Sequence, residues 1–142
     1  MNNGKLVPSE VTCRLLKKCI ESTVDAKDKI FLIDGFPRNL ENIQVWEQIF
    51  EKQSKILCVL FLDCPLDICL ERLVERSKEN VRPDDKVEII KKRFKGFEET
   101  NFVVLDYMEK STKIIKVDTQ GKKEEIFEEI CQKFAKENIL QN

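Results

Sequence analysis

The most regular pattern along the chain is a set of three short, mostly apolar runs, each followed directly by an aspartate. The runs and aspartates are residues 30–33 with Asp34, residues 56–62 with Asp63, and residues 113–117 with Asp118. Runs of this length, rich in β-branched and aromatic residues, are typical of strands buried on both faces. Ligands bind at the carboxyl ends of strands in open parallel sheets, so the aspartates indicate a candidate site.

Apolar residues at helical spacing surround these runs. The first helix is expected to begin at Pro8, with Ser9 as its N-cap, and to continue to about Val24. Further helices are predicted over residues 43–50, from Pro65 to a polar loop at 77–85, from 86 to about 110 with a break near 96–101, and over 126–134. Strands alternating with helices form βαβ crossovers, so the sequence predicts an α/β fold: a parallel sheet with helices on both faces.

Composition narrows the class of protein. The 142 residues suffice for a single domain with a sizeable core, and the net charge of −1 argues against a broad basic surface for nucleic acid. No secretory signal or membrane-spanning run is apparent, and the six cysteines form no Cys-x-x-Cys pair, so we expect reduced thiols in a cytoplasmic protein, with the nucleus as the alternative. Histidine is absent, which excludes Ser-His and Cys-His chemistry.

The first aspartate opens the sequence Asp34-Gly35-Phe36-Pro37-Arg38. A carboxylate at this position can face a metal-bound phosphate, and the Arg38 guanidinium can clamp a phosphate with its fork of donors. The alternative interpretation is a buried strand that ends in an ordinary turn and binds nothing.

Further arginines follow in an order that suits phosphate chemistry. Arg72 and Arg76 are four residues apart and share one helix face, Arg82 lies in the polar loop, and Arg93 lies on the next helix. A phosphoryl-transfer site needs little beyond positioning and charge neutralisation, which such a set can supply. Taken singly, each arginine is more typical of a solvated ion pair with a neighbouring glutamate.

A glycine-rich phosphate loop cannot be drawn in this sequence. The four glycines stand at positions 4, 35, 96 and 121, so the pattern Gly-x-x-x-x-Gly-Lys-Ser/Thr does not occur.

The combination of motifs is similar to that of the nucleoside monophosphate kinases of the adenylate kinase family, and most of all to the UMP–CMP kinases. The motifs, in the order of that family, are Gly4-Lys5-Leu6-Val7-Pro8, Asp34-Gly35-Phe36-Pro37-Arg38, Arg72-x-x-x-Arg76, Arg82-x-Asp84-Asp85 and Arg93. The resemblance runs over essentially the whole chain. It implies one partial kinase domain over residues 1–142, in which residues 1–28 end the monophosphate-binding region and residues 77–85 form a short lid.

The resemblance also implies a role for each matching residue. The acceptor nucleotide would be bound by Lys5, Leu6, Val7, Gly35, Phe36, Pro37, Arg38, Asn42, Arg82 and Arg93. ATP would be bound by Arg72, Arg76 and Gly121, and the catalytic arginines would be Arg38, Arg76, Arg82 and Arg93. Asp34 would support Mg²⁺, bound with ATP, through water, and the lid residues Asp84 and Asp85 would pair with arginines.

Asn42 is expected to decide the choice of base. Adenylate kinases carry glutamine at the matching position, whereas UMP–CMP kinases carry the shorter asparagine, which suits a pyrimidine. Asn42 could instead serve only as a cap of the helix that contains Ile43.

The resemblance has one large gap, because the family's first strand, phosphate loop and first helix have no counterpart here. We therefore expect phosphoryl transfer from ATP to UMP or CMP, with dCMP as a further acceptor, to be weak or absent in this chain alone. The alternatives are an adenylate kinase that acts on AMP and a catalytically dead nucleotide-binding or interaction protein. The full-length parent is expected to be a monomer, and this chain, which has apolar strands without their central neighbour, is expected to self-associate.

Overall fold

A computed structural model describes residues 7–51, 53–79 and 87–139, except the side chains of Ser77, Glu79, Val87, Glu88 and Arg93. In chain order the elements are helix α1 (Ser9–Glu21), a 3₁₀ turn (Ala26–Asp28), helix α2 (Leu40–Phe50), strand β1 (Val59–Asp63), helices α3 (Leu66–Glu79) and α4 (Val87–Glu109), strand β2 (Ile114–Asp118) and helix α5 (Lys123–Lys136). Apart from the 3₁₀ turn, each element coincides with a stretch whose apolar spacing predicts that type of element. Helix α3, however, continues to Glu79, so the beginning of the segment predicted as a polar loop and lid, 77–85, is helical.

The two strands lie side by side and parallel, with Val59 opposite Ile114 and Asp63 opposite Asp118. Thr119 extends the ladder, because its backbone N–H and its hydroxyl both donate to the carbonyl of Asp63 at 2.8 Å. The carboxyl ends of both strands therefore meet at one edge. This arrangement confirms the predicted α/β class.

Helices cover both faces of the strand pair. On one face, Ile114 and Val59 pack with Ile43 of α2 and Val104 of α4. On the other face, Ile115 and Val117 pack with α5, through Ile126, Ile130 and Phe134. Residues that alternate along β2 thus enter two separate apolar clusters, as expected for a strand between two helical layers.

The prediction of a strand at residues 30–33 is wrong for the structure as described. The segment has no ladder partner among the described residues, and Ile30 and Leu32 are 54% and 86% exposed. An apolar run becomes a strand only when its backbone N–H and C=O groups pair with those of a neighbouring strand. Neither β1 nor β2 pairs with this segment. The strand predicted over residues 56–62 is observed as β1 and begins later than predicted, since Ile56, Leu57 and Cys58 lie before the ladder.

Two details of the helices differ from expectation. Helix α1 has Pro8 as its N-cap and ends at Glu21, so Ser9 is its first residue and not its cap. The expected break at residues 96–101 is absent, because α4 runs through Gly96 and the Thr100 hydroxyl donates to the Gly96 carbonyl at 2.9 Å. One glycine in a long helix lowers its stability without ending it.

Candidate active site

A tight turn follows the unpaired segment and holds the Arg38 guanidinium. Gly35 has φ +65°, a left-handed conformation that favours glycine, and the Phe36–Pro37 peptide bond is cis. Arg38 Nε donates to the Gly35 carbonyl at 2.7 Å. A Cβ atom at position 35 would lie 3.0 Å from Arg38 Nη2, so the glycine also makes room for this side chain.

The backbone of Arg38 is fixed by the start of helix α2. Asn39 caps the helix and accepts a hydrogen bond from the Asn42 N–H at 2.8 Å. The Asn42 side-chain oxygen accepts from the Arg38 N–H at 2.9 Å, and the Asn42 Nδ2 group donates to the Ser9 hydroxyl at 2.7 Å. Asn42 is 6% exposed, and this buried network ties the turn to both helices.

A stack of aromatic rings packs against the turn through Phe36. The Phe36 ring lies 5.5 Å from the Trp46 ring, which stacks on Phe50 at 3.8 Å. Trp46 and Phe50 also pack with the buried Cys13 of α1. The position of Phe36, and with it the turn, is therefore fixed by the α1–α2 core.

An open groove lies beside this turn, between the start of α2 and the middle of α4. Its volume is about 350 Å³, and its lining residues are Asn39, Leu40, Glu41, Glu99, Thr100 and Val103. Its lining begins at Asn39, the residue that follows Arg38 in the chain.

The second cluster of the candidate site lies at the carboxyl ends of the strands. Arg72 of α3 donates through Nη2 to the carbonyls of Gly121 at 3.0 Å and Gln120 at 3.3 Å. Its Nη1 group lies 3.8 Å from the Cys64 thiol. Burial, assisted by a hydrogen bond to Cys64, raises the pKa of the Cys69 thiol to about 11, so this cysteine remains a neutral thiol at ordinary pH.

Comparison with known proteins identifies the family. The adenylate kinase family model matches residues 1–113. The chain is 38% identical over 139 residues to the UMP-CMP kinase of Homo sapiens, covering 96% of this chain and 71% of that protein. It is 41% identical over 130 residues to the uridylate kinase of Saccharomyces cerevisiae, covering 92% of this chain and 62% of that protein. The chain belongs to the adenylate kinase family.

This adenylate kinase family member is thus a nucleoside monophosphate kinase by homology, which confirms the class of enzyme expected from its motifs. The expected site residues fall into two groups in its structure. Gly35, Phe36, Pro37, Arg38 and Asn42 come together in one hydrogen-bonded unit. Arg72 and Gly121 come together in another, although 49 residues separate them.

The other residues expected in the site belong to neither of these two groups. Val7 lies half-buried just before α1, Arg76 is exposed on α3 one turn after Arg72, and Asp34 is exposed in the turn. Arg93 lies on α4, with its side chain outside the described structure. The residues expected in the site that lie wholly outside the described ranges are Lys5, Leu6, Arg82, Asp84 and Asp85.

The described residues offer few ligands for the expected Mg²⁺ ion. No cluster of three or more His, Cys, Asp or Glu residues suited to a metal occurs in the described ranges, so a cage of protein ligands is absent there. Mg²⁺ instead commonly keeps several waters and binds through one or two carboxylates together with substrate phosphates. A single exposed carboxylate at Asp34, with no hydrogen bond to the described residues, fits that mode.

The two residues that bond to Asn42 from either side, Asn39 and Ser9, are absent from the site predicted from the sequence. Asn39 caps α2, and its residue type could have indicated this role, because asparagine directly before an apolar helical stretch is a common N-cap. The sequence indicated Ser9 only as an N-cap, because its hydrogen bond to Asn42 spans 33 residues and depends on how α1 packs on α2.

No helix among the described residues is long and apolar enough to cross a bilayer.

Proposed function

We propose that this kinase transfers the terminal phosphoryl group of ATP to UMP or CMP, with dCMP as a further acceptor. The observation that carries the proposal is the fixed Arg38 clamp. Its side chain is held by the Gly35 carbonyl at 2.7 Å and its backbone N–H by the Asn42 side chain at 2.9 Å. The similarity to the human UMP-CMP kinase and the yeast uridylate kinase supports pyrimidine acceptors.

On the acceptor side, Arg38 would bind the monophosphate. Its bond to Gly35 uses one of five guanidinium donors, and the others have no partner among the described residues. They remain able to bind a phosphate in a bidentate manner. Phe36 and Pro37 would shape the turn, and Asn42 would meet the base, together with backbone groups of Lys5, Leu6 and Val7.

On the donor side, Arg72 and the Gly121 carbonyl would contact the adenine of ATP. The existing bond between them supports this role, since both groups lie at the edge of the sheet where α/β proteins bind ligands. Arg76, Arg82 and Arg93 would neutralise the charge of the transferred group, with Asp84 and Asp85 closing the lid. Mg²⁺, bound with ATP, would supply charge neutralisation at the phosphates, and Asp34 would hold its water ligands.

The two alternatives each have an observation in their favour. Both polar ends of the Asn42 side chain already bond within the protein, which favours a purely structural Asn42 and leaves AMP open as the acceptor. The second alternative, a protein that binds nucleotides without phosphoryl transfer, rests on the absence of a Gly-x-x-x-x-Gly-Lys-Ser/Thr pattern from these 142 residues. The free cysteines fit a reducing compartment, so we propose the cytoplasm or the nucleus as its location.

Product formation from ATP·Mg²⁺ with UMP, CMP or AMP tests the proposal. We expect slow transfer, well below the roughly 1–100 s⁻¹ of typical kinases, with UDP and CDP formed faster than ADP. Faster use of AMP would favour the adenylate kinase alternative. Binding of UMP or CMP without any product would favour the nucleotide-binding alternative for this chain.

A further inference from the structure

The Ser9 hydroxyl occupies an unusual position for a serine in the first turn of a helix. The residue is 2% exposed, and its Oγ accepts a hydrogen bond from Asn42 Nδ2 at 2.7 Å. One turn later, the Cys13 thiol lies 3.8 Å from the Asn42 carbonyl. Helix α1 thus contacts Asn42 at its side chain and at its backbone, with Ser9 as the polar partner of the amide.

The hydrogen bonds of Asn42 fix which way its amide points. The Arg38 backbone N–H can only donate, so it must face the amide oxygen. The NH₂ group then faces Ser9, whose hydroxyl oxygen can accept. Turning the amide over would set two donors against each other at Arg38. The chain of bonds from Arg38 through Asn42 to Ser9 therefore has one polarity.

We propose that Ser9 is a positioning residue of the acceptor site: it holds the Asn42 amide in the orientation that fixes the Arg38 backbone. This inference rests on the proposed function, because it takes the segment from Gly35 to Arg38 as the acceptor-phosphate site. Without the Ser9 hydroxyl, the Asn42 NH₂ group is left unpaired in a buried position and turns away to find a partner. The Arg38 N–H then loses its acceptor, and the backbone from which the guanidinium extends is no longer held in place.

A purely structural role for Ser9 predicts something different. A bond between α1 and α2 that only stabilises the fold would lower the melting temperature and leave nucleotide affinity unchanged at temperatures where the protein is folded. A positioning role also changes the affinity for the acceptor. The two roles are therefore separated by measuring binding well below the melting temperature.

The test compares Ser9→Ala with the whole chain and with a control, Ser22→Ala. Ser22 lies at the other end of α1, where its exposed hydroxyl bonds only to the nearby Cys19 carbonyl among the described residues. UMP and CMP are titrated while the fluorescence of Trp46 is followed. Trp46 is the only tryptophan of the chain and lies 5.5 Å from Phe36, so it reports on the turn directly. Melting curves of each variant confirm that it is folded.

We expect Ser9→Ala to weaken UMP and CMP binding by about fivefold to tenfold, the usual effect of losing one hydrogen bond, and Ser22→Ala to leave it unchanged. Equal or tighter binding by folded Ser9→Ala overturns the inference. If Ser9→Ala does not fold, Ser9→Cys, which has nearly the same volume and a weak acceptor, takes its place in both measurements.

Hydrogen exchange at the Arg38 amide tests the positioning role without any nucleotide. This N–H donates to Asn42 at 2.9 Å, so it should exchange slowly in the wild type and faster in the Ser9 variant. Equal protection in both proteins overturns the inference. If the wild type binds none of UMP, CMP and AMP, the proposed function fails, and the exchange result then tests only whether Ser9 fixes the Arg38 backbone.

Discussion

Arg38 Nε donates a 2.7 Å hydrogen bond to the Gly35 carbonyl across the turn of the candidate site. Gly35 adopts a positive φ, and a Cβ atom there would lie 3.0 Å from Arg38 Nη2. One short turn thus sets both the backbone path and the position of the Arg38 guanidinium.

Gly35→Ala should therefore destabilise the protein and weaken acceptor binding. The side chain would be strained at φ +65°, which costs on the order of 1–3 kcal/mol, and Arg38 would be displaced. Gly96→Ala is the matched control, because a Cβ there meets nothing within 4 Å and alanine favours the helix by about 0.5–1 kcal/mol. Urea denaturation should show a loss for the first variant and a gain for the second. Equal stability of Gly35→Ala and the wild type would contradict the role of the turn.

Arg38→Ala should reduce the affinity for a nucleoside monophosphate while the fold is kept. Hydrogen bonds to charged groups are worth about 1.5–3 kcal/mol, so we expect roughly a tenfold to hundredfold higher Kd. Arg14→Ala is the control, since Arg14 is an exposed arginine paired with Glu10 at 2.7 Å, an interaction that contributes little. Calorimetric titration with UMP measures both variants. Similar losses for the two would show that only general positive charge matters.

The Cys69 thiol should resist alkylation until the pH is high. Burial and the hydrogen bond to Cys64 raise its pKa to about 11 from 9.0, so little thiolate exists near pH 8. In the unfolded chain the same thiol ionises near pH 9, and folding stability should fall as the pH rises from 9 to 11. Iodoacetamide labelling followed by mass spectrometry should modify the exposed Cys19 and Cys131 first. Early labelling of Cys69 at pH 8 would contradict the raised pKa.

Self-association should occur at micromolar concentration. Ile30 and Leu32 expose large apolar side chains on a segment that has no ladder partner among the described residues. Unpaired backbone beside apolar surface favours pairing with another chain. Sedimentation velocity should show dimers or larger species, reduced in Leu32→Lys. The control is Val24→Lys, at a residue that is also exposed but lies in the turn after α1. A monomeric wild type would show that the segment needs no partner.

The sequence predicts local structure better than it predicts contacts between distant residues. Apolar spacing correctly indicated α1, α2 and the parallel pair of β1 and β2, since these elements depend on periodic burial. The same reasoning failed at residues 30–33, because strand formation depends on a partner that the run itself does not reveal. It also mistook Ser9 for a cap, since the bond to Asn42 arises only from the packing of two helices.

The candidate site was predicted mainly through its motif. The Asp-Gly-Phe-Pro-Arg sequence indicated a phosphate clamp, and the positive φ of Gly35 gives a physical reason for its glycine. Sequence reasoning had no means of finding that Arg72 bonds to Gly121, because the fold brings the two together. The resemblance to a known family assigned both residues to the donor base, and that assignment stays a prediction.

The central claim is that Asn42 and Arg38 form an acceptor site for a pyrimidine nucleotide, and a comparison of Kd values tests it most directly. UMP, CMP and AMP are titrated into the wild type and into Asn42→Gln, whose longer amide would fill the space that the smaller pyrimidine base needs. The account predicts tighter binding of UMP and CMP than of AMP by the wild type, and a smaller difference in Asn42→Gln. AMP bound as tightly as UMP by the wild type, or a ratio unchanged by the substitution, would contradict it.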